Sequence, residues 1–342
     1  MTERRGIAAG GNWIIDHVKL IEELPPEEQL TTIISESRGT GGAPYNVLVN
    51  LATLDPALPL EAIGIVGNDD DGQHIIDHLA SLNIDARQVR KTSDAPTSHT
   101  DVMTVQSTGR RTFFHNPGAN ALFGPASINL NTLKCSILHL GYLLLLKSLD
   151  EPDPEFNGRP RWIGVLGRAR AAGMLTSLDM VTLLGPRIRN IVKPVLPYAD
   201  YFVLNELEAS GLTSIPARDN SGRLIRDNLR RMAASMLDMG VQRLVVIHAP
   251  EAALWLSAAG SDCYMPSLDV PKQWIKGTAG AGDAFCAGIL YGLHQGWAPQ
   301  RCLELAAANA AMSLSDPTCT GGLKSLGETM KLIGKFGLRP DV

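Results

Sequence analysis

Through the second half of the chain, apolar residues fall into short unbroken blocks, and the stretches between them repeat apolar residues at helical spacing. The blocks at 137–142, 175–179, 201–204 and 244–248 predict strands, and the periodic stretches at 161–172, 224–239 and 299–314 predict helices. Strands that are apolar throughout are buried on both faces. Their alternation with helices predicts a doubly wound α/β fold, a mainly parallel sheet flanked by helices. Segments 253–256 and 263–268 read as antiparallel strands late in the sheet.

The first half is less regular. Residues 6–15 read as a short first strand in which Gly10-Gly11-Asn12 marks a close backbone approach, and 60–66 as an apolar strand ended by Gly67. Asp69-Asp70-Asp71-Gly72 precedes a helix with Ile75, Ile76, Leu79 and Leu82 on one face, so these acids read as a loop and helix cap rather than a metal site. The β-branched run at 30–36 and the hairpin at 100–106 and 111–115 lie outside the main alternation. They predict a small sheet inserted into one domain that spans 1–342. Segment 150–160, rich in proline and acid, reads as a surface loop.

The balance of charge narrows the partners. With 342 residues, 44% hydrophobic content and a net charge of −4 without a basic run, the chain suits neither nucleic acid nor an anionic membrane. The apolar run at 137–146 contains His139 and is too short to span a bilayer. The N-terminus lacks the apolar core of a signal peptide. Five cysteines without Cys-x-x-Cys spacing suit reduced thiols and a cytoplasmic address.

Candidate chemistry centres on Lys276-Gly277-Thr278-Ala279-Gly280-Ala281-Gly282-Asp283, which leads into a helix carrying Phe285, Ile289, Leu290 and Leu293. Glycines at a helix start let an anion approach unpaired N–H groups, and Asp283 lies in the first turn. Tight packing and a dipole-paired Asp would leave the same residues. The run lacks the Gly-Lys-[Ser/Thr] of a Walker A loop, and its late position does not suit a Rossmann fingerprint. A second glycine-rich turn, 39–46, opens a helix with Pro44 near its start.

Four stretches in order resemble the ribokinase-like (PfkB) family of carbohydrate and nucleoside kinases, over about 10–323. Gly277–Asp283 resembles its D-T-x-G-A-G-D signature, and Gly41-Gly42-Ala43-Pro44-Tyr45-Asn46 its G-G-x-x-x-N motif. Gly64 to Gly72 is similar to G-x-V-G-x-D-x-x-G, and Asn205-Glu206-Leu207-Glu208 to N-x-x-E. The resemblance implies transfer of the γ-phosphoryl of ATP to a hydroxyl of a small sugar, with a β lid from about 17–38 and 98–117. Asp283 would be the general base, and the N–H groups of Ala281, Gly282 and Asp283, after Gly280, the anion hole. Asp16, Asn12, Gly41, Gly42 and Asn46 would bind the substrate. Asn205, Thr278 and Asn309 would meet the nucleotide, and Glu208 would hold Mg²⁺. A monovalent cation such as K⁺ and a homodimer through the lid are further family expectations.

Two departures stand out. Gly277 replaces the family Asp, and His248-Ala249-Pro250-Glu251-Ala252 replaces a glycine-containing nucleotide loop, with Pro250 removing an N–H. A nucleoside substrate, with Tyr45, Phe113 and Phe114 as stacking faces, and a sugar phosphate gripped by Arg38, Arg110 and Arg111 stay open. So does a non-catalytic sugar- or nucleotide-binding protein on the same fold.

Overall fold

The computed structural model describes residues 4–182, 185 and 187–340. In chain order its main elements are β1 (Ile7–Gly11), β2 (Ile14–Ile21), β3 (Ile33–Gly41), α1 (Ala43–Leu54), β4 (Leu60–Gly67), α2 (Asp70–Ser81) and β5 (Asp85–Thr92). There follow β6 (Ser98–Val105), β7 (Arg111–Asn116), β8 (Ile137–Leu143), α3 (Trp162–Ala171), β9 (Leu175–Met180), β10 (Tyr201–Asn205), α4 (Glu206–Thr213) and α5 (Arg226–Asp238). The chain closes with β11 (Leu244–His248), β12 (Ala252–Ser257), β13 (Asp262–Pro266), α6 (Ala281–His294), α7 (Pro299–Ser313) and α8 (Leu326–Phe336).

A nine-stranded sheet runs β13-β12-β11-β10-β9-β8-β1-β4-β5. It is parallel from β5 to β11; β12 alone runs the other way, so that the β11–β12 and β12–β13 pairings are antiparallel. One face packs under α3, α4 and α5 through residues such as Trp162, Leu212 and Met232. The other packs under α1, α6 and α7 through Leu48, Ile289 and Leu303. Strand order reverses beside β1, and in sheets of this kind ligands gather outside the carboxyl ends of the strands at that point.

The second sheet has four strands in the order β3-β2-β6-β7, with β2 and β6 parallel and the outer pairs antiparallel. The first strand expected at 6–15 is divided between the two sheets. At Gly11 the backbone takes φ +128° and passes so close to Gly141 that a Cβ would lie 1.9 Å from its carbonyl oxygen. Only Asn12 and Trp13 link β1 to β2. Trp13 is fully buried; its N–H and C=O both pair with the Asn120 amide at 3.1 Å, and its indole N–H donates to the Ile63 carbonyl at 2.8 Å.

Other boundaries also moved. The strand expected at 30–36 is Ile33–Gly41 and runs directly into the glycine-rich turn. β5 has a largely polar sequence, because an edge strand is held by its backbone pairing to β4. Within the loop expected at 150–160, Pro152–Asp153 pairs with Arg159–Pro160. Phe202 is fully buried in the core beneath α3 to α5. Phe202→Ala is expected to lower unfolding stability by about 3–5 kcal/mol, read as a lower denaturant midpoint at unchanged slope.

Candidate active site

Gly280 caps α6 in the left-handed region, with φ +76°. A Cβ there would lie 2.7–2.8 Å from Cys319, so the turn admits no larger residue. The Ala284 N–H returns to the Gly280 carbonyl at 2.8 Å. Ahead of it, the N–H groups of Gly282 and Asp283 have no intrahelical acceptor, as at any helix start. The glycine-rich stretch thus presents a small positive cradle beside a carboxylate.

Asp283 itself is buried, and its oxygens are held from two directions. Asn46 on α1 donates from Nδ2 to Oδ2 at 2.7 Å, and the Tyr142 hydroxyl at the end of β8 donates to Oδ1 at 2.9 Å. Asn46 is oriented in turn, since its Oδ1 accepts from Thr40 at 2.7 Å. Burial, and then the charge of Asp179, push the Asp283 carboxyl up to about 7 against these bonds.

Asp16 on β2 lies beside the glycine-rich turn that opens α1. A Cβ on Gly41 would lie 2.6 Å from its Oδ1, so the glycine makes room for the carboxylate. Burial raises the Asp16 carboxyl to about 7, opposed by the Arg111 charge and by bonds from Thr100 and Cys319. Gly42 caps α1 next to it. Asn12 does not join this wall. It is fully enclosed, and its Oδ1 accepts the Tyr142 N–H at 2.7 Å, so that oxygen supports Tyr142, while its Nδ2 is buried without a partner.

Two clefts meet at the α6 N-terminus. The larger, of about 420 Å³, is apolar, with Pro250, Leu268, Val270 and Phe285 in its walls and Thr278 at its edge. The smaller, of about 240 Å³, is polar and takes in Tyr142, Asp179, Thr182, Glu208 and Asp283. Asn205, His248 and Gly282 line both. Asn205 and Glu208 form a capping box on α4, with Glu208 accepting from the Asn205 N–H at 2.9 Å and from Thr182 at 2.7 Å. Burial, with the Asp179 and Glu206 charges adding to it, raises Glu208 to about 7. Asn309 is absent from both clefts. It is fully buried on α7, its Nδ2 donating to Asn50 at 2.9 Å and to the Ala284 carbonyl at 2.7 Å, while its Oδ1 has no partner.

The sequence reading did not single out Tyr142, Asp179 or Thr182, although each lies at or just past the carboxyl end of a strand. His248 was noted only as part of a departure. Its ring packs on Phe285 at 4.8 Å, and burial pushes it down to about 4, leaving a neutral imidazole between the clefts. The loop that follows is a tight hairpin, with Ala249 N–H donating to the Ala252 carbonyl at 2.8 Å. Glu251 is gripped by both terminal nitrogens of Arg218 at 2.7 and 2.9 Å, and Arg218 also holds Glu206 at 2.7 Å. The acidic triplet is used structurally: Asp69 caps α2, and Asp71 pairs with His17 and Arg38.

A doubly wound sheet whose strand ends carry an anion cradle, a buried carboxylate and an adjoining apolar cleft defines a phosphotransferase architecture. The family model described as pfkB family carbohydrate kinase matches residues 5–326, and the chain belongs to that family: it is a carbohydrate kinase, a phosphotransferase with an alcohol group as acceptor. Over 321 residues it is 26% identical to a ribokinase of Arabidopsis thaliana, covering 93% of this chain and 78% of that one. It is 24% identical over 345 residues to a nucleoside kinase of Methanothermobacter thermautotrophicus, covering 100% of both. The structure of the Arabidopsis thaliana ribokinase complexed with ribose and ATP superposes with a TM-score of 0.77 at 21% identity, over 96% of this chain and 99% of that one. All five cysteines are free, and among the described residues no helix is long and apolar enough to cross a membrane.

Asp16, Glu208 and Asp283 each carry a pKa of about 7 in the folded protein, against about 4 in an unfolded chain. The folded state therefore binds protons that the unfolded chain has released. The stability this contributes is fully present below about pH 4 and is lost as pH rises through about 7. Without ligands, Asp283→Asn is expected to melt a few degrees above the parent at pH 8, with the gap narrowing to about a third by pH 5 and closing only below about pH 4. Calorimetry at both pH values checks this; equal melting at pH 8 would mean that the carboxylate carries no burial penalty.

Proposed function

We propose that the protein transfers the γ-phosphoryl group of ATP to a hydroxyl of a small neutral sugar. The observation that carries this reading is Asp283, fixed by Asn46 and Tyr142 at a helix start where an apolar and a polar cleft meet. Asp283 takes the proton of the attacking hydroxyl as that oxygen bonds to phosphorus and ADP leaves. The free N–H groups of Gly282 and Asp283 meet the charge that spreads over the transferred group, joined by that of Ala281 if it leaves the Thr278 carbonyl, 3.4 Å away. Asp16 accepts hydrogen bonds from sugar hydroxyls beside Gly41 and Gly42, and Asn46 serves by orienting Asp283.

The apolar cleft suits an adenine, with Thr278 and Asn205 near the phosphates. Mg²⁺ fits Glu208, whose carboxylate is strained upward by burial and by neighbouring acids, a tension a cation relieves. When bound, the ion would offset phosphate charge, with water between it and Glu208. Nothing comparable supports K⁺. A Cβ at Gly277 would lie 2.8 Å from the Pro317 Cα and 2.9 Å from its carbonyl oxygen, so no carboxylate fits there and no role for K⁺ is proposed.

A neutral sugar is favoured over the other acceptors. Tyr45 is fully buried against Trp13 and offers no stacking face. Arg38 is paired with Asp71 and Arg111 with the Pro317 carbonyl, while Asp16 and Asp283 would repel a sugar phosphate. Phe113 and Phe114 are exposed on β7 and keep a nucleoside as the second reading. Sugar-stimulated ADP release with Mg²⁺-ATP is expected, falling about 10²–10⁴-fold in Asp283→Asn while sugar binding persists. Sugar-induced thermal stabilisation without turnover would instead indicate a binding protein.

The small sheet is proposed to close as a lid and to pair two copies of the chain. Ile33, Ile34, Phe113 and Phe114 lie 43–60% exposed on its two edge strands, β3 and β7. Exposed edges with apolar side chains need cover. Sedimentation is expected to give twice the 36.7 kDa chain mass, and Phe113→Glu with Phe114→Glu to return it to 36.7 kDa. A monomeric parent at micromolar concentration would remove the dimer.

A further inference from the structure

Behind the polar cleft lie three buried groups that the phosphoryl transfer does not use: His139 on β8, Asp179 on β9 and Cys286 on α6. One ligand atom from each lies within 4.8 Å of the others, and among the described residues this is the one cluster of three such side chains. His139 is 0% exposed, Cys286 2% and Asp179 6%, so solvent does not satisfy them. His139 Nε2 stands 3.4 Å from Asp179 Oδ2, yet Nε2 and Asp179 Oδ1 both lack a hydrogen-bond partner. His139 Nδ1 lies 3.1 Å from Ser177 Oγ. With Nδ1–H donating to Ser177, the Nε2 lone pair faces the carboxylate.

We propose that His139 Nε2, the Asp179 carboxylate and the Cys286 thiolate form a binding site for a zinc-class divalent cation, distinct from the Mg²⁺ of the transfer reaction. A proton shared between His139 and Asp179 would satisfy one oxygen and leave the other bare. A tetrahedral cation satisfies nitrogen, oxygen and sulfur together. One ligand each of nitrogen, oxygen and sulfur suits Zn²⁺, whereas Mg²⁺ and Ca²⁺ take oxygen ligands. Ser177 supplies the outer hydrogen bond that fixes a metal-binding imidazole. Zinc bonds of about 2.0–2.3 Å require the thiol to draw in by roughly an ångström, a side-chain adjustment. Asp179 and Cys286 border the polar cleft, which gives the ion a route in and a water its fourth position. On binding, the Cys286 thiol releases its proton to solvent as the sulfur–metal bond forms. With a carboxylate and a thiolate as ligands the occupied site is close to neutral, and the ion offsets the Asp179 charge that bears on Asp283.

Co²⁺ titrated into metal-stripped full-length protein, without nucleotide, tests the site. One equivalent is expected to give the near-ultraviolet thiolate-to-cobalt band with visible bands of tetrahedral intensity. Zn²⁺ should displace it and excess Mg²⁺ should not. Cys286→Ser should lose the near-ultraviolet band, and His139→Gln and Asp179→Asn should weaken binding at least tenfold. Glu208→Gln should bind as the parent does. Zn²⁺ should also raise the melting temperature of the parent but not of Cys286→Ser, which keeps the test valid where one variant folds poorly. Absence of the thiolate band in the parent, or its survival in Cys286→Ser, would overturn the proposal.

Discussion

A carboxylate kept out of water fixes the placement of three distant parts of this chain. Asn46 and Tyr142, 237 and 141 residues from Asp283 in sequence, supply its hydrogen bonds. The start of α1, the end of β8 and the start of α6 must therefore converge to a few tenths of an ångström. Bonds to a charged group typically contribute about 1.5–3 kcal/mol each, and even so the carboxyl remains well above its ordinary range. The rest of the fold supplies the stability that makes this tolerable: two apolar cores, one on each face of the nine-stranded sheet.

Legibility in the sequence followed burial. The strands from 137 onward are apolar throughout, so their blocks announce both the element and the parallel sheet. β5 is polar because one side of it is an edge, and nothing in Asp85–Thr92 marks a strand. Asp283 was visible because glycines at a helix start are otherwise costly. Tyr142 was hidden inside an apolar run whose only evident message was a strand. Asn12 and Asn309 occupy telling positions, yet their side chains turn inward to partners from distant segments, Tyr142 and Asn50, which local pattern cannot reveal.

The hairpin after His248 builds a cleft wall by other means than glycine. Alanines and Pro250 fill the turn, and Arg218 clamps Glu251 while also holding Glu206 beside the α4 cap. The brace ties the wall of the apolar cleft to the helix that carries Glu208. The wall is held by ion pairs, and a neutral imidazole stands where the two clefts join.

The passage from β1 to β2 has a mechanical meaning. A central strand of the large sheet becomes a strand of the small one across two residues, and Trp13, the second of them, is locked by Asn120 and by the Ile63 carbonyl. The small sheet is mounted on a stiff axle, not on a slack tether. Asp16 stands three residues beyond Trp13, and Asn12 accepts the N–H of Tyr142, so any turn of the small sheet would bear on the residue whose hydroxyl steadies Asp283.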